Sequence, residues 1–197
     1  LGYLIMEGNL VQKNNGSSNE PYFAVLKDGS FAIREPGTDC SDVQEAISGP
    51  FYLVHDGQIV VDPNNTDLMP RNSIGTVVTF VADGRQYPYS VGMSIYDLAC
   101  YYEKQGVENA IYLDGGGSAT FASKREGTNK LEIRNSPSDG VERTVSSALL
   151  LVSTADKDGK FDHASVEPNN QLYTPGSTVQ FSASGVDAAG GPADLPN

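Results

Sequence analysis

The segment best suited to chemistry is 112–121, which reads Tyr-Leu-Asp-Gly-Gly-Gly-Ser-Ala-Thr-Phe. An apolar stretch ends there in a single carboxylate, Asp114, and three glycines follow. Glycine triplets lose much backbone entropy on folding, so they indicate either a turn with positive φ or a ligand that approaches backbone N–H groups closely. A carboxylate beside such N–H groups suits an anionic or polyhydroxylated substrate. A plain glycine-rich hairpin turn explains the same residues equally well.

Two hydroxyl residues, Ser118 and Thr120, follow the glycines with one residue between them. If 118–123 is a strand, both side chains lie on one face of the sheet, where they could donate to sugar or phosphate oxygens. Ser118 is a poor candidate for a covalent nucleophile, because no His or Lys is placed to act as its base.

Composition limits the class of partner. The chain has 197 residues, with 13 Lys and Arg against 25 Asp and Glu and a net charge of −12. This charge disfavours binding to nucleic acid or to anionic membranes, so an anion site must be a local cluster of arginines. No apolar run is long enough to span a bilayer, and a sequence that begins at Leu1 without a signal peptide is expected to be a mature or trimmed segment. The two cysteines, Cys40 and Cys100, permit one disulfide, but free thiols are favoured.

The pattern of apolar residues predicts an α+β fold, mostly β-sheet, with one well-defined helix over 95–105 packed on it. Ser94 is placed to be the N-cap of this helix, Asp97 lies three residues on, and Gly106 suits its C-terminal end. A brief helix is expected over 42–47. Strands are expected over 4–6, 22–26, 31–33, 51–54, 59–61, 76–81, 109–113, 118–123, 131–135 and 144–152.

Histidine-based catalysis and metal chemistry are not indicated. His55 falls in an expected turn, and His163 falls in a polar stretch. Asp156, Asp158 and Asp162 faintly resemble a calcium loop but lack its terminal bidentate Glu, so a solvated turn is the simpler explanation. The sequence therefore predicts neither a metal site nor a cofactor.

Four segments in order carry a family resemblance. They are 113–121 (Leu-Asp-Gly-Gly-Gly-Ser-Ala-Thr-Phe), 70–75 (Pro-Arg-Asn-Ser-Ile-Gly), 83–85 (Asp-Gly-Arg) and 135–143 (Asn-Ser-Pro-Ser-Asp-Gly-Val-Glu-Arg). Together they closely resemble the motifs of the phosphodiester glycosidases. An Asn-Gly-Gly-Phe-Phe-like motif, expected just upstream of Gly2, is absent from this sequence. The resemblance implies hydrolysis of the glycosidic bond of a sugar-1-phosphodiester of the N-acetylglucosamine type, with release of the sugar and a phosphomonoester. It also implies an exported protein with an extracellular or cell-surface location.

The resemblance also implies roles for individual carboxylates. Asp114 is expected to be the main catalytic carboxylate, at the end of a buried strand where partial desolvation would suit it, although it could simply cap the turn. Glu142 and Asp139 are candidates for the partner carboxylate. A structural pair with Arg143 explains them equally well.

The phosphate needs cations, and Arg71 and Arg143 are expected to bind it, because a planar guanidinium can grip two phosphate oxygens. The remaining expected substrate-binding residues lie in the glycine segment and in the last motif. They are Gly115, Gly116, Gly117, Ser118, Thr120 and Asn135.

The chain is expected to be modular. Residues 1–153 should form the glycosidase domain, 154–163 a polar linker, and 164–197 the incomplete start of an immunoglobulin-like module. Val166, Val179 and Phe181 should then pack on the main domain or on a neighbouring chain, or their segment should be poorly ordered. A different class of function, a non-catalytic glycan- or cell-wall-binding module, stays open.

Overall fold

The computed structural model describes residues 2–13, 20–169 and 171–196. Within these ranges the protein consists mainly of antiparallel strands with one α-helix, so the expected α+β, mostly-β class is confirmed. The chain divides into two compact units, residues 1–121 with 135–149 and residues 122–134 with 150–197.

The first unit contains two five-stranded antiparallel sheets. The first has the order β2-β1-β5-β3-β4, built from β1 (Leu4–Met6), β2 (Asn9–Gln12), β3 (Tyr22–Leu26), β4 (Phe31–Arg34) and β5 (Val43–Ser48). The second has the order β7-β6-β10-β8-β9, built from β6 (Tyr52–His55), β7 (Gln58–Ile59), β8 (Arg71–Gly75), β9 (Thr79–Ala82) and β10 (Ala110–Leu113).

Alternation along β3 explains how the two sheets pack. Tyr22 and Ala24 point into a core on one face of the first sheet. Phe23, between them, points to the other face and packs with Ile74 and Ile111 of the second sheet. Both faces of β3 are therefore covered.

The helix α1 (Ile95–Lys104) closes the other face of the second sheet, and its predicted signals are confirmed. The Ser94 hydroxyl accepts a hydrogen bond from the Asp97 backbone N–H at 2.9 Å and donates to the Asp97 carboxylate at 2.7 Å. Leu98 and Tyr102 are fully buried against the sheet. Gly106, with φ of +70°, allows the chain to turn away after the last turn of the helix.

The helix predicted over 42–47 is wrong, because this segment is strand β5. Val43 and Ala46 lie three residues apart, a helical spacing, and both are buried in the same core. The sheet achieves this with a register shift, since Val25 pairs with Glu45 whereas Leu26 pairs with Val43. The bulge adds one unpaired residue to β5. Val43 and Ala46 can therefore lie on the same face of a strand although they are three residues apart.

Two further strand predictions are wrong. Residues 116–118 form a 3₁₀ turn, and the strand expected over 118–123 is limited to Ala122–Lys124, because the positive φ of Gly116 interrupts the extended backbone. Residues 144–152 form no strand, and their side chains are exposed apart from Leu149, which packs against the cluster of Phe23, Ile74 and Ile111.

The second unit has two small antiparallel sheets. One pairs β11 (Ala122–Lys124) with β12 (Leu131–Ile133), and the other has the order β13-β14-β15, from β13 (His163–Glu167), β14 (Ser182–Val186) and β15 (Pro192–Ala193). Val166 and Phe181 are about half exposed in the single chain, at 44% and 53%, so the partner expected to cover them stays a prediction. The predicted boundaries at 153 and 163 also stay a prediction.

Both cysteines are half-buried free thiols, as favoured from the sequence. No helix in the described ranges has the length and apolar character needed to cross a membrane.

Candidate active site

The glycine turn, defined here as residues 114–118, begins where the buried strand β10 ends. Asp114 is exposed, Gly116 and Gly117 are buried, and residues 116–118 form a single 3₁₀ turn. Gly116 has φ of +61°, a conformation that favours glycine. Its N–H donates to the Pro70 carbonyl at 2.9 Å, and the Ser118 N–H donates to the Gly115 carbonyl, so these two groups are not available to a ligand. The expected cradle of N–H groups is therefore only partly present.

Each of the three glycines leaves room for a different polar side chain. A β-carbon on Gly115 would overlap the Tyr112 hydroxyl, and one on Gly116 would lie 3.3 Å from the Arg85 guanidinium. A β-carbon on Gly117 would overlap both Arg143 and Asp139. Glycine is therefore required at positions 115 and 117 because neighbouring side chains leave no room for a β-carbon, and at position 116 because of its positive φ. Two guanidinium groups, a carboxylate and a phenol converge on it.

Asp114 stands alone at the start of the turn. Its side chain is exposed, and within the described ranges it makes no hydrogen bond and no ion pair. The expected partial desolvation is therefore wrong. The carboxylate is instead free to meet a substrate or a water molecule, since no protein donor occupies it.

Arg143 lies over Gly117 and is paired with Asp139. Its Nε and Nη2 atoms both donate to the same oxygen of Asp139, at 3.0 and 2.6 Å. The side chains are 49% and 38% exposed, and an ion pair so accessible to water is worth at most about 1 kcal/mol. An incoming phosphate can therefore replace Asp139 at small cost. Glu142 is exposed and has no such contact with Arg143.

Arg71, which was expected to bind the phosphate, is buried in the protein rather than exposed at the site. Its side chain is 1% exposed, and its three nitrogens donate to the Met93 carbonyl at 2.9 Å, the Asp67 carbonyl at 2.7 Å and the Tyr112 hydroxyl at 3.3 Å. Direct contact with a solvent-borne phosphate does not suit a guanidinium held in this way.

Arg85 is the arginine that the sequence-based set of candidates lacks. It is exposed, it lies against Gly116, and its side chain makes one hydrogen bond in the described ranges, a weak one from Nη2 to the Met69 sulfur at 3.0 Å. Its φ of +57° is uncommon for a residue with a side chain. The signal was its place in the Asp-Gly-Arg segment, which alone cannot show that Gly116 is its neighbour.

Asn135 braces the loops around the turn. Its amide nitrogen donates to the Asp83 carboxylate at 3.0 Å and to the Ala119 carbonyl at 2.9 Å, while its oxygen accepts from the Phe121 N–H at 2.7 Å. The hydrogen-bonding capacity expected for a sugar is thus largely used within the protein. The Asn135 amide thus connects Asp83, which precedes Arg85 by two residues, to Ala119, which follows the glycine turn.

Asp83 anchors the same network. Its carboxylate accepts from the Ser136 N–H at 2.9 Å and from the Tyr89 hydroxyl at 2.9 Å. The hydrogen bond to this anion raises the pKa of Tyr89, because the neutral phenol is the donor. Gln86 adds a second link, donating to the Ser136 carbonyl at 2.6 Å.

Three hydroxyl groups near the turn have no hydrogen-bond partner in the described ranges. Ser118 and Thr120 are half-buried, but they do not share a strand face, since neither lies in a strand. The Ser138 hydroxyl is buried beside Asp139 and is also unsatisfied. In the same ranges no three His, Cys, Asp or Glu side chains cluster closely enough to hold a metal ion.

Comparison with known proteins bears on this site. The sequence model of the phosphodiester glycosidase family matches residues 1–152. The mouse (Mus musculus) N-acetylglucosamine-1-phosphodiester alpha-N-acetylglucosaminidase is 26% identical over 148 residues, which cover 61% of this chain and 28% of the mouse protein. The human (Homo sapiens) enzyme of the same name is 34% identical over 99 residues, covering 49% and 17%.

A bacterial relative and a solved structure are also similar. An uncharacterized SPbeta prophage-derived protein of Bacillus subtilis is 36% identical over 81 residues, covering 41% of this chain and 12% of that protein. The zebrafish catalytic domain of the glucosaminidase, described as auto-inhibited by its pro-peptide, superposes with a TM-score of 0.54 at 25% identity and covers 70% of this chain and 51% of that one. The chain thus spans less than a third of the length of each of these curated relatives.

Proposed function

Because this chain belongs to the phosphodiester glycosidase family, we propose that it hydrolyses the glycosidic bond of a sugar-1-phosphodiester of the N-acetylglucosamine type. The products are the free sugar and a phosphomonoester. The observation that carries the proposal is the convergence of Arg85 and Arg143 on a glycine turn that begins with the free carboxylate of Asp114.

In this reaction the bond between the sugar C1 and the phosphate oxygen breaks, and its electron pair stays with the phosphate. Water supplies the hydroxyl group at C1 and gives up a proton. A phosphomonoester has a second pKa near 6, so it leaves readily as a dianion when cations surround it. The demand on the protein is therefore for positive charge at the phosphate rather than for a strong acid.

Arg85 and Arg143 are placed to meet that demand. Arg85 has most of its donors unused, and Arg143 needs only to exchange the Asp139 carboxylate for phosphate oxygens. Their contacts with the adjacent residues Gly116 and Gly117 support the binding of one phosphate by both guanidinium groups.

Asp114 acts at the sugar. An exposed carboxylate without a partner can stabilise the positive charge that develops at C1 or direct the attacking water. Asp139, once released from Arg143, is a candidate for the second carboxylate, and its position against Gly117 favours it over the exposed Glu142. Asn135 and Arg71 act on the architecture of the site rather than on the substrate directly.

The organisation and location of the protein belong to the same proposal. We propose that the protein is exported and that residues 164–197 belong to an immunoglobulin-like module; the three-stranded antiparallel sheet of β13, β14 and β15 supports the module. The substrate would then be an extracellular or cell-surface glycan phosphodiester.

The test is release of N-acetylglucosamine from UDP-N-acetylglucosamine, compared with an N-acetylglucosaminide that has a nitrophenyl aglycone and no phosphate. The proposal expects hydrolysis of the phosphodiester and little or none of the nitrophenyl compound, because the latter cannot use Arg85 or Arg143. Binding of both compounds without hydrolysis of either would contradict it and favour the glycan-binding alternative.

A further inference from the structure

Arg71 is a buried cation without an anion. Its side chain is 1% exposed, and its partners are two carbonyl oxygens and a phenol, all neutral. No carboxylate in the described ranges lies within ion-pair distance of its guanidinium. Burial of a charge without a counter-ion is unfavourable, so a fold that keeps one directly after Pro70, whose carbonyl accepts from the Gly116 N–H of the glycine turn, calls for an explanation.

Tyr112 connects this cation to the glycine turn. Its ring stacks on Phe51 at 5.1 Å, nearly parallel, which fixes its orientation in the core. Its hydroxyl accepts a hydrogen bond from Arg71, so its own proton must point elsewhere. No acceptor for that proton is found in the described ranges, and the hydroxyl lies beside Gly115, where a side chain would otherwise be.

A phenol that accepts from a cation becomes a better hydrogen-bond donor, because each bond in such a chain polarises the next. Its preferred acceptor is then an anionic oxygen. The residue Tyr112 as a whole is 9% exposed, so it is mostly buried but not completely sealed from solvent.

We propose that Tyr112 donates a hydrogen bond to a phosphate oxygen bound at the glycine turn, and that buried Arg71 is the positioning residue that makes the hydroxyl a donor only. This inference rests on the proposed function for the identity of the anion. It adds a third donor to Arg85 and Arg143, on the side of the turn marked by Gly115. It also gives the charge of Arg71 a counter-ion when substrate is bound.

The test is titration of the full chain with inorganic phosphate, followed by calorimetry. Tyr112→Phe keeps the ring stack on Phe51 and removes only the hydroxyl, and the loss of one hydrogen bond to a charged acceptor should weaken phosphate affinity by about tenfold or more. Tyr102→Phe is the matched control, because it also removes a buried phenol hydroxyl from the same unit, one that bonds to Ser73 at 3.0 Å and does not touch the glycine turn. Its phosphate affinity should equal that of the wild type.

A double-mutant cycle tests the role of Arg71. Arg71→Lys keeps the charge and loses the planar fork, so alone it should weaken phosphate binding, and combined with Tyr112→Phe it should add little further loss. Additive losses would overturn the positioning role. If Arg71→Lys does not fold, the comparison of Tyr112→Phe with Tyr102→Phe still decides whether the Tyr112 hydroxyl binds phosphate.

Three outcomes would overturn the inference: no phosphate binding by the wild type, wild-type affinity in Tyr112→Phe, or equal losses in Tyr112→Phe and Tyr102→Phe. Phosphate binding that depends on Tyr112, in a chain that cleaves no sugar-1-phosphodiester, would support the donor and contradict the hydrolysis. Cleavage of the sugar-1-phosphodiester by the wild type, together with wild-type phosphate affinity in Tyr112→Phe, would support the hydrolysis and contradict the donor role of Tyr112.

Discussion

The guanidinium of Arg143 lies so close to Gly117 that a β-carbon at position 117 would overlap it. The same β-carbon would also meet the Asp139 carboxylate, so one backbone position defines where this ion pair sits. Residues 26 positions apart in sequence are thereby fixed against each other at the turn.

Gly117→Ala should therefore displace Arg143 without unfolding the protein, because the groups in the way are the ends of flexible side chains. We expect kcat/KM for a sugar-1-phosphodiester to fall by about tenfold or more, since a misplaced guanidinium loses a charge-assisted bond. Gly140→Ala is the control in the same segment: its φ of +81° makes the change strained, but nothing lies within 4 Å. That variant should lose stability and keep the catalytic parameters, and equal kinetic losses in both would show that general destabilisation is the cause.

Asp114→Asn should lower kcat by about 100-fold or more, because it removes a charge that acts in the transition state while it preserves shape. Stability to urea should not change, since the carboxylate is exposed and has no partner in the described ranges. Asp56→Asn, another exposed carboxylate of the same unit, should leave kcat unchanged. Near-full turnover by a folded Asp114→Asn protein would reduce Asp114 to a residue of the turn.

Arg85→Ala and Arg71→Ala should have different consequences for folding. Arg85 is exposed, and within the described ranges its side chain is hydrogen-bonded only to a sulfur. Its loss should therefore raise KM or the inhibition constant of phosphate and leave the melting temperature almost unchanged. Removal of Arg71 leaves two carbonyls and a phenol without their donor in a buried site, at a cost of about 3 kcal/mol or more. Thermal melts and phosphate inhibition of the two variants measure both quantities. A large loss of stability in Arg85→Ala would mean that its role is structural.

Stability at alkaline pH should depend on Tyr102. Burial raises the pKa of this phenol from 10.0 to about 12, while the hydrogen bond with Ser73 acts in the opposite direction. Because the folded pKa exceeds the unfolded one, the contribution to stability is complete below pH 10 and is lost as the pH rises through 12, with a slope of at most about 1.4 kcal/mol per pH unit. Urea unfolding of wild type and Tyr102→Phe between pH 9 and 12 measures this. The variant should show a shallower decline, and identical slopes would contradict the assignment.

Local signals allowed part of this fold to be predicted from sequence. The helix α1 follows from Ser94, Asp97 and Gly106, all of which act within a few residues of the helix ends. The strand β5 was not predictable, because the spacing of Val43 and Ala46 is helical and only the register shift against Val25 and Leu26 makes it a strand. Such a bulge depends on pairing with a distant strand.

The candidate site also has a part that the sequence predicts and a part that depends on tertiary contacts. The glycine triplet and Asp114 are adjacent in sequence, so their proximity needs no tertiary information. The burial of Arg71 depends on the Met93 and Asp67 carbonyls, and the contact of Arg85 with Gly116 depends on the network of Asp83 and Asn135. Neither relationship has a local signature.

The pairing of Asp139 with Arg143 has a consequence for selectivity. Two nitrogens of the guanidinium donate to one carboxylate oxygen of Asp139, so an anion that binds Arg143 must compete with this carboxylate. A monovalent ion such as chloride that replaced the carboxylate would bring Arg143 the same charge of −1 and would cost it the two hydrogen bonds to Asp139. A phosphate group that binds Arg85 at the same time gains contact with a second cation. Competition from Asp139 should therefore weaken the binding of small monovalent anions more than the binding of phosphate groups.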